Sequence, residues 1–262
     1  MTSSYEEEKN IFKKILKNFF SLFGFRIVRK NNFYERRHDS IVEINEEDKI
    51  NINRALEISL CGKENIWSLI QSINYISDKK IQGDVVECGV FKGGSLGIIC
   101  SYVQKNKLNS KIYGFDTFEE GFLDNTISEK DFTVKGKKVD PEDFKAQKNF
   151  YPSKQEVKKN LEKFNLIEKY QPILIKGNIL ETLKKEENLP KKISLLRLDT
   201  DLYNTTKLQL EILYPRLEKG GILHIDDYGL CQGVRSAVDE YFYNKKIWLH
   251  RVDLTCRLMI KD

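Results

Sequence analysis

Apolar and polar positions along the chain fall into two regimes. In the first, IFKKILKNFFSLFGFRIV (11–28) sets Ile11, Phe12, Ile15, Leu16, Phe19 and Phe20 on one helical face and Lys13, Lys14 and Lys17 on the other. A basic amphipathic helix of this kind either lies peripherally on an anionic membrane face or packs on the domain or a second subunit, and packing is the default expectation. ENIWSLIQSINYISDKK (64–80) predicts another helix. In the second regime, short apolar runs predict strands at 84–90, 111–118, 172–178, 193–199 and 221–227. Helical periodicity intervenes at 93–106, 154–164 and 202–217 and returns at 233–244, and WLHRVD and TCRLMIK read as a closing antiparallel pair. Strands apolar throughout and alternating with helices specify an α/β fold, a doubly wound and mostly parallel sheet covered on both faces. The expected organisation is a helical extension over 1–60 and one α/β domain over 61–262.

One segment breaks the rhythm. Residues 119–152 are long, polar and weakly periodic. Following the second strand, they rise from the carboxyl edge of the sheet, where open α/β folds bind ligands, and are expected to form a lid or binding loop.

Composition narrows the partners. A net charge of +5 over 262 residues, with no basic block interleaved with aromatics, gives no reason to expect nucleic acid. Five cysteines without a CxxC spacing argue against a disulfide framework or zinc site and for a reducing, cytoplasmic setting. The acidic, polar start is no signal peptide, and no apolar run is long enough to span a membrane.

The first strand runs into ECGVFKGGS, bringing Glu87, Gly89, Gly93, Gly94 and Ser95 into one sharp turn. The spacing is not GxGxxG, so a nicotinamide dinucleotide is not expected. The helix start can still present N–H groups to a carboxylate, such as that of S-adenosylmethionine, and Glu87 can meet its ammonium group. Asp116, ending the second strand, stands where an acid binds ribose hydroxyls. The structural alternatives are glycines serving a tight turn and Asp116 capping it.

The fourth strand ends in RLDTDLYNTT and the fifth in HIDDYG, so Asp199, Asp201, Asp226 and Asp227 crowd one crevice if those strands are neighbours. One Asp per turn suffices to cap the following helix, whereas two per turn ask for a cation. All-oxygen donors indicate Mg²⁺ or another divalent ion. Such an ion stabilises the alkoxide developing from an acceptor hydroxyl. Asp201 is the expected general base, with His224 as its rival in a more structural position.

Together VVECGVFKGGS, FDTFEEG, LLRLDTDLYNTT and HIDDYG resemble the macrocin O-methyltransferase family of metal-dependent sugar methyltransferases, over about residues 60–240. The resemblance implies a Rossmann-like class I methyltransferase fold, S-adenosylmethionine as donor, and ligation of a divalent cation by Asp199, Asp226 and Asp227. It likewise implies Asp201 as base and Glu87, Gly89 and Asp116 as donor-binding residues, with Asn178 or a neighbour at the adenine. The implied acceptor is a sugar hydroxyl of a glycan, nucleotide sugar or glycosylated metabolite, as in antibiotic or surface polysaccharide biosynthesis, and a homo-oligomer is the expected assembly. Two alternatives stand beside it: a catechol- or caffeoyl-type metal-dependent methyltransferase, and a non-catalytic nucleotide- or metal-binding subunit.

Overall fold

The structure, a computed structural model, describes residues 41–133, 136–140 and 151–262. The amphipathic segment 11–28 and part of the 119–152 insertion therefore lie outside the described residues. Asn45–Asp262 form one compact unit, and residues 41–44 belong to a separate one.

Helix α1 (Glu46–Leu56) opens the unit, its first turn capped by the Asn45 side chain accepting the Asp48 N–H. Helix α2 (Lys63–Asp78) carries Ile66, Leu69, Ile70, Ile73 and Ile76 at helical spacing, all without exposure, each burial contributing roughly 1.5–3 kcal/mol. Then come β1 (Asp84–Cys88), α3 (Gly94–Lys105), β2 (Ile112–Asp116), α4 (Lys154–Leu161), β3 (Ile173–Lys176), the short α5 (Ile179–Thr182), β4 (Ile193–Leu198), α6 (Tyr203–Ile212), β5 (Leu217–Ile225), α7 (Gln232–Tyr241), β6 (His250–Arg251) and β7 (Arg257–Ile260).

The strands form one sheet in the order β3-β2-β1-β4-β5-β7-β6. Pairings from β3 through β5 are parallel, and β7 runs antiparallel to both β5 and β6. The doubly wound expectation is met, with the antiparallel pair at one edge. Two boundaries move for identifiable reasons. The helix expected over 202–217 stops at Ile212, because Pro215 follows within one turn and cannot continue it. Strand β5 starts four residues earlier than expected, since Leu217 opposes Ile193 while Ile222 opposes Leu195, and the intervening Gly220-Gly221 is absorbed as an irregularity within the strand.

Alternation assigns the two faces. Val86, Cys88, Leu196, Leu198, Leu223 and Ile225 meet Leu210, Leu213, Val234, Val238 and Phe242 of the α6–α7 layer in one core cluster. The opposite face is not uniformly apolar. Glu87, Arg197 and His224 stand side by side across β1, β4 and β5, all three fully buried, and α2 covers this row through Ser68. Among the described residues, no helix is long and apolar enough to cross a membrane.

Candidate active site

The order β2-β1-β4-β5 brings the carboxyl ends of four parallel strands together at one edge, and a cavity of about 600 Å³ opens there. Of the residues expected at the donor site, Gly89, Gly94, Ser95, Asp116 and Asn178 line it. Gly89 has φ +88°, and a Cβ on it would lie 1.7 Å from the Asp199 carbonyl oxygen, so only glycine lets β1 leave the sheet beside the β4 turn. Asp116 holds that turn from below: Oδ2 accepts the N–H groups of Val90 (2.6 Å) and Phe91 (2.9 Å), and Oδ1 accepts that of Phe118 (2.5 Å). Asn178 caps α5 through the Leu180 N–H and donates to Asn125. Glu87 and Gly93 do not line the cavity. Gly93 starts α3 against Val157 and Leu161 of α4, and the Glu87 carboxylate lies one layer deeper, 3.0 Å from Arg197.

All four aspartates expected at the β4 and β5 ends line the cavity. Both turns contain a left-handed non-glycine residue, Asp201 at φ +62° and Asp227 at φ +57°, a conformation an aspartate tolerates at some cost in strain. The carboxyl groups of Asp201 and Asp227 come within 4.8 Å of each other and interact electrostatically. Asp226 points the other way. Its Oδ2 accepts from Arg197 (2.7 Å) and Asn65 (2.9 Å), and its Oδ1 from the Thr255 hydroxyl (2.9 Å) and the Asp227 N–H (3.0 Å). Two potential ligand sets result, each with its donor atoms within 4.8 Å of one another: Cys61–Asp199–Asp226 and Asp201–Asp227–Cys231. The expected triad Asp199–Asp226–Asp227 spans both.

Burial and mutual repulsion dominate the electrostatics. Burial pushes Asp199 and Asp227 well above the usual carboxylate range, with Asp226 repelling both, and pushes Asp201 up to about 6. For Asp226 burial acts in the same direction, but the Arg197 guanidinium together with hydrogen bonds from Thr255 and Asn65 more than offsets it and keeps the carboxylate below its ordinary value. Tyr151, also on the cavity wall, is raised to about 12 by burial and by the charges of Asp201 and Asp116.

Residues 2–260 match the sequence profile of the family described as Macrocin-O-methyltransferase (TylF). The chain belongs to this family. It is therefore an S-adenosylmethionine-dependent O-methyltransferase. Among characterised relatives, it is 26% identical over 184 residues to demethyldecarbamoylnovobiocin O-methyltransferase of Streptomyces niveus, covering 70% of this chain and 67% of that one. It is 28% identical over 187 residues to mycinamicin III 3''-O-methyltransferase of Micromonospora griseorubida, covering 70% and 69%. The fold is similar to that of the O-methyltransferase NovP, with a TM-score of 0.65 and 23% identity over 78% of this chain and 82% of that one. It is also similar to an O-methyltransferase from Bacillus cereus in complex with SAH, with a TM-score of 0.52 and 11% identity over 86% and 96%.

In this macrocin-type methyltransferase, the sequence reading overlooked Arg197. Its Nη1 donates to Glu87 (3.0 Å) and Asp199 (2.5 Å), and its Nη2 to Asp226 (2.7 Å) and the Cys61 sulfur (3.1 Å). The available signal was a lone cation inside an otherwise uncharged, fully buried strand, ISLLRL, which demands buried counter-charges. Beside it, burial and the Arg197 charge drive the His224 pKa down to about 3, so the imidazole is neutral. The Ser68 hydroxyl proton is committed to the Asn65 carbonyl, so His224 Nε2 carries the hydrogen and donates to Ser68. His224 does not line the cavity and is not placed to act as base. Cys61 and Asn65 also escaped notice, because they precede the α/β alternation and meet Asp226 across more than 160 residues of sequence.

Proposed function

We propose that the enzyme transfers the donor methyl group to a sugar hydroxyl with the help of a divalent cation, Mg²⁺ by default, held by Asp199, Asp226 and Asp227, and with Asp201 as general base. The observation that carries this reading is the charge balance of the cavity wall. Four aspartates converge there, and Arg197 is their one direct cationic partner among the described residues. A hard divalent ion fits this donor set. The carboxylates offer oxygen ligands, and burial together with their mutual repulsion disfavours the ionised forms of Asp199 and Asp227, which a bound divalent ion would favour.

S-adenosylmethionine supplies an electrophilic methyl group on a sulfonium. The cation supplies Lewis acidity toward the acceptor oxygen. The chain does the rest. The Gly89 turn, locked by Asp116, permits close approach of the donor to the ends of β1 and β4. Asp201, raised to about 6 by burial, is poised to take a hydroxyl proton near neutral pH. Buried Arg197 keeps Asp226 ionised below the site.

The cavity wall bears on the acceptor. Among the described lining residues none is cationic, while Leu60 (74% exposed) and Leu230 (38% exposed) present apolar surface beside the acids. A sugar joined to an apolar body suits that surface better than one carrying a diphosphate, which the carboxylates repel. The relatives named for novobiocin and mycinamicin substrates agree with a glycosylated metabolite.

Labelled methyl donor, Mg²⁺ and a panel of neutral glycosides and nucleotide sugars test the proposal. Transfer to a glycoside is expected, abolished by EDTA and restored by Mg²⁺. Asp201→Asn is expected to lower turnover by about 10²–10⁴-fold while donor binding persists. EDTA-insensitive transfer in metal-stripped enzyme would remove the cation from the mechanism, and full turnover by Asp201→Asn would remove the base.

A further inference from the structure

The first part of the insertion after β2 does more than cover the sheet edge. Helix α6 begins two residues after Asp201, and α7 follows the turn that carries Asp227, yet neither helix has a side-chain cap from its own N-cap residue, Leu202 or Cys231. Consecutive residues of the insertion provide the missing acceptors. Asp131, 1% exposed, accepts the Tyr203 N–H through Oδ1 at 2.8 Å, and the Phe132 carbonyl accepts the Gln232 N–H at 3.0 Å. Thr133 adds an antiparallel bridge to Cys231, and the Cys231 N–H in turn closes the Asp227 turn by bonding its carbonyl at 2.7 Å. The fit is tight on the other side as well. A Cβ at Gly233 would stand 1.9 Å from Asp131 Oδ1 and 3.0 Å from the Tyr203 nitrogen, so α7 approaches α6 this closely only with glycine there. The second Asp131 oxygen is committed to the Ser128 N–H at 2.7 Å, which holds the carboxylate in place from within the insertion.

We propose that Asp131, with the adjoining Phe132 carbonyl, is a positioning clamp that caps α6 and α7 from outside and so sets the separation of Asp201 and Asp227. A carboxylate at two helix N-termini is favoured by both helix dipoles, and the Ser128 and Tyr203 N–H groups offset part of the cost of burying it. Two rigid helices then transmit its position to the two acidic turns. The clamp is read from geometry alone, while the purpose of fixing those two carboxylates rests on the metal and base roles proposed above.

Hydrogen exchange on the full chain separates the two. In Asp131→Ala, exchange is expected to speed up roughly five- to tenfold together in 128–133, 200–206 and 228–234, with β1 and β4 unchanged. Gly233→Ala, which displaces the carboxylate without deleting it, is expected to give the same three-segment signature. Asp131→Asn keeps a carbonyl acceptor for Tyr203 and is expected to restore protection at 200–206. Retained affinity for S-adenosylhomocysteine by calorimetry shows that each variant is folded. Mn²⁺ affinity, read by electron paramagnetic resonance, is expected to fall in Asp131→Ala and recover in Asp131→Asn. Faster exchange confined to 128–133, or no difference between the Ala and Asn variants, overturns the clamp. Absence of Mn²⁺ binding in the wild-type protein overturns the metal reading instead, and the exchange result stands.

Discussion

Replacing Arg197 by Met, close to it in volume, isolates the role of the buried guanidinium. The side chain is fully buried and serves three carboxylates, of which Glu87 is also fully buried and Asp226 nearly so. Breaking a buried ion pair by deleting one partner typically costs about 3–5 kcal/mol, because the remaining charge is left desolvated. The three acids do not share this cost equally. Glu87 is already pushed up to about 7 by burial with Arg197 present, so without it the group becomes neutral and its share is capped. Asp199 keeps a quarter of its side chain exposed and can rehydrate. Asp226 is the costly one: burial raises it, Arg197 is the largest of the influences that together offset burial, and without it Asn65, Thr255, a backbone N–H and the Cys61 thiol remain.

The expected loss is therefore about 4 kcal/mol at pH 7.5, or a melting temperature lower by roughly 8–16 °C for a chain of this size. The sign with pH is fixed as well. Asp226 is depressed in the wild type, so its contribution is complete above the unfolded carboxylate value near ~3.9. In the variant the orphaned acids have raised pKa values and are relieved by protonation, so the deficit should shrink as the pH falls from 7.5 to 5. Thermal melts followed by circular dichroism at both pH values measure this. A deficit under about 1 kcal/mol at pH 7.5, or one that grows on acidification, would refute the argument that Arg197 is the counter-charge of the site.

Gly89→Ala forces a Cβ into the Asp199 carbonyl at a left-handed φ and should abolish calorimetric binding of S-adenosylhomocysteine; affinity within twofold of wild type would mean the two turns separate freely. His224, lowered to about 3 first by burial and then by Arg197, binds no proton in the folded state between pH 4 and 6.5, whereas the unfolded chain does. Its stabilisation is complete above the unfolded value near ~6.5 and declines by about 1.4 kcal/mol per pH unit below it, so the stability gap between wild type and His224→Gln should narrow from pH 7 to pH 5. A constant gap, measured by urea titration, would show that His224 protonates in place.

What was legible in the sequence, and what was not, follows from the range of each interaction. The alternation of apolar runs and helical periods gave the parallel sheet because both signals are local, whereas which strands are neighbours stayed conditional, since pairing joins residues far apart in sequence. The acid pairs stood out because a charge at the end of a buried run is anomalous where it stands. Arg197 is anomalous for the same reason, yet its meaning depends on Glu87 in another strand and on Asp226 in a third, and no single window contains them. Asp131 carries no local signal at all. It lies in a polar insertion where an aspartate is unremarkable, and its burial exists only because two helix starts, some 70 and 100 residues downstream, converge on it. The same distinction explains the division of the expected triad. Sequence placed Asp226 and Asp227 as equivalent neighbours, but in the strand-end geometry adjacent side chains point to opposite sides. One consequently meets Arg197 and Asn65 of α2 while the other meets Asp201, so the acidic cluster is assembled around an internal arginine rather than from carboxylates alone.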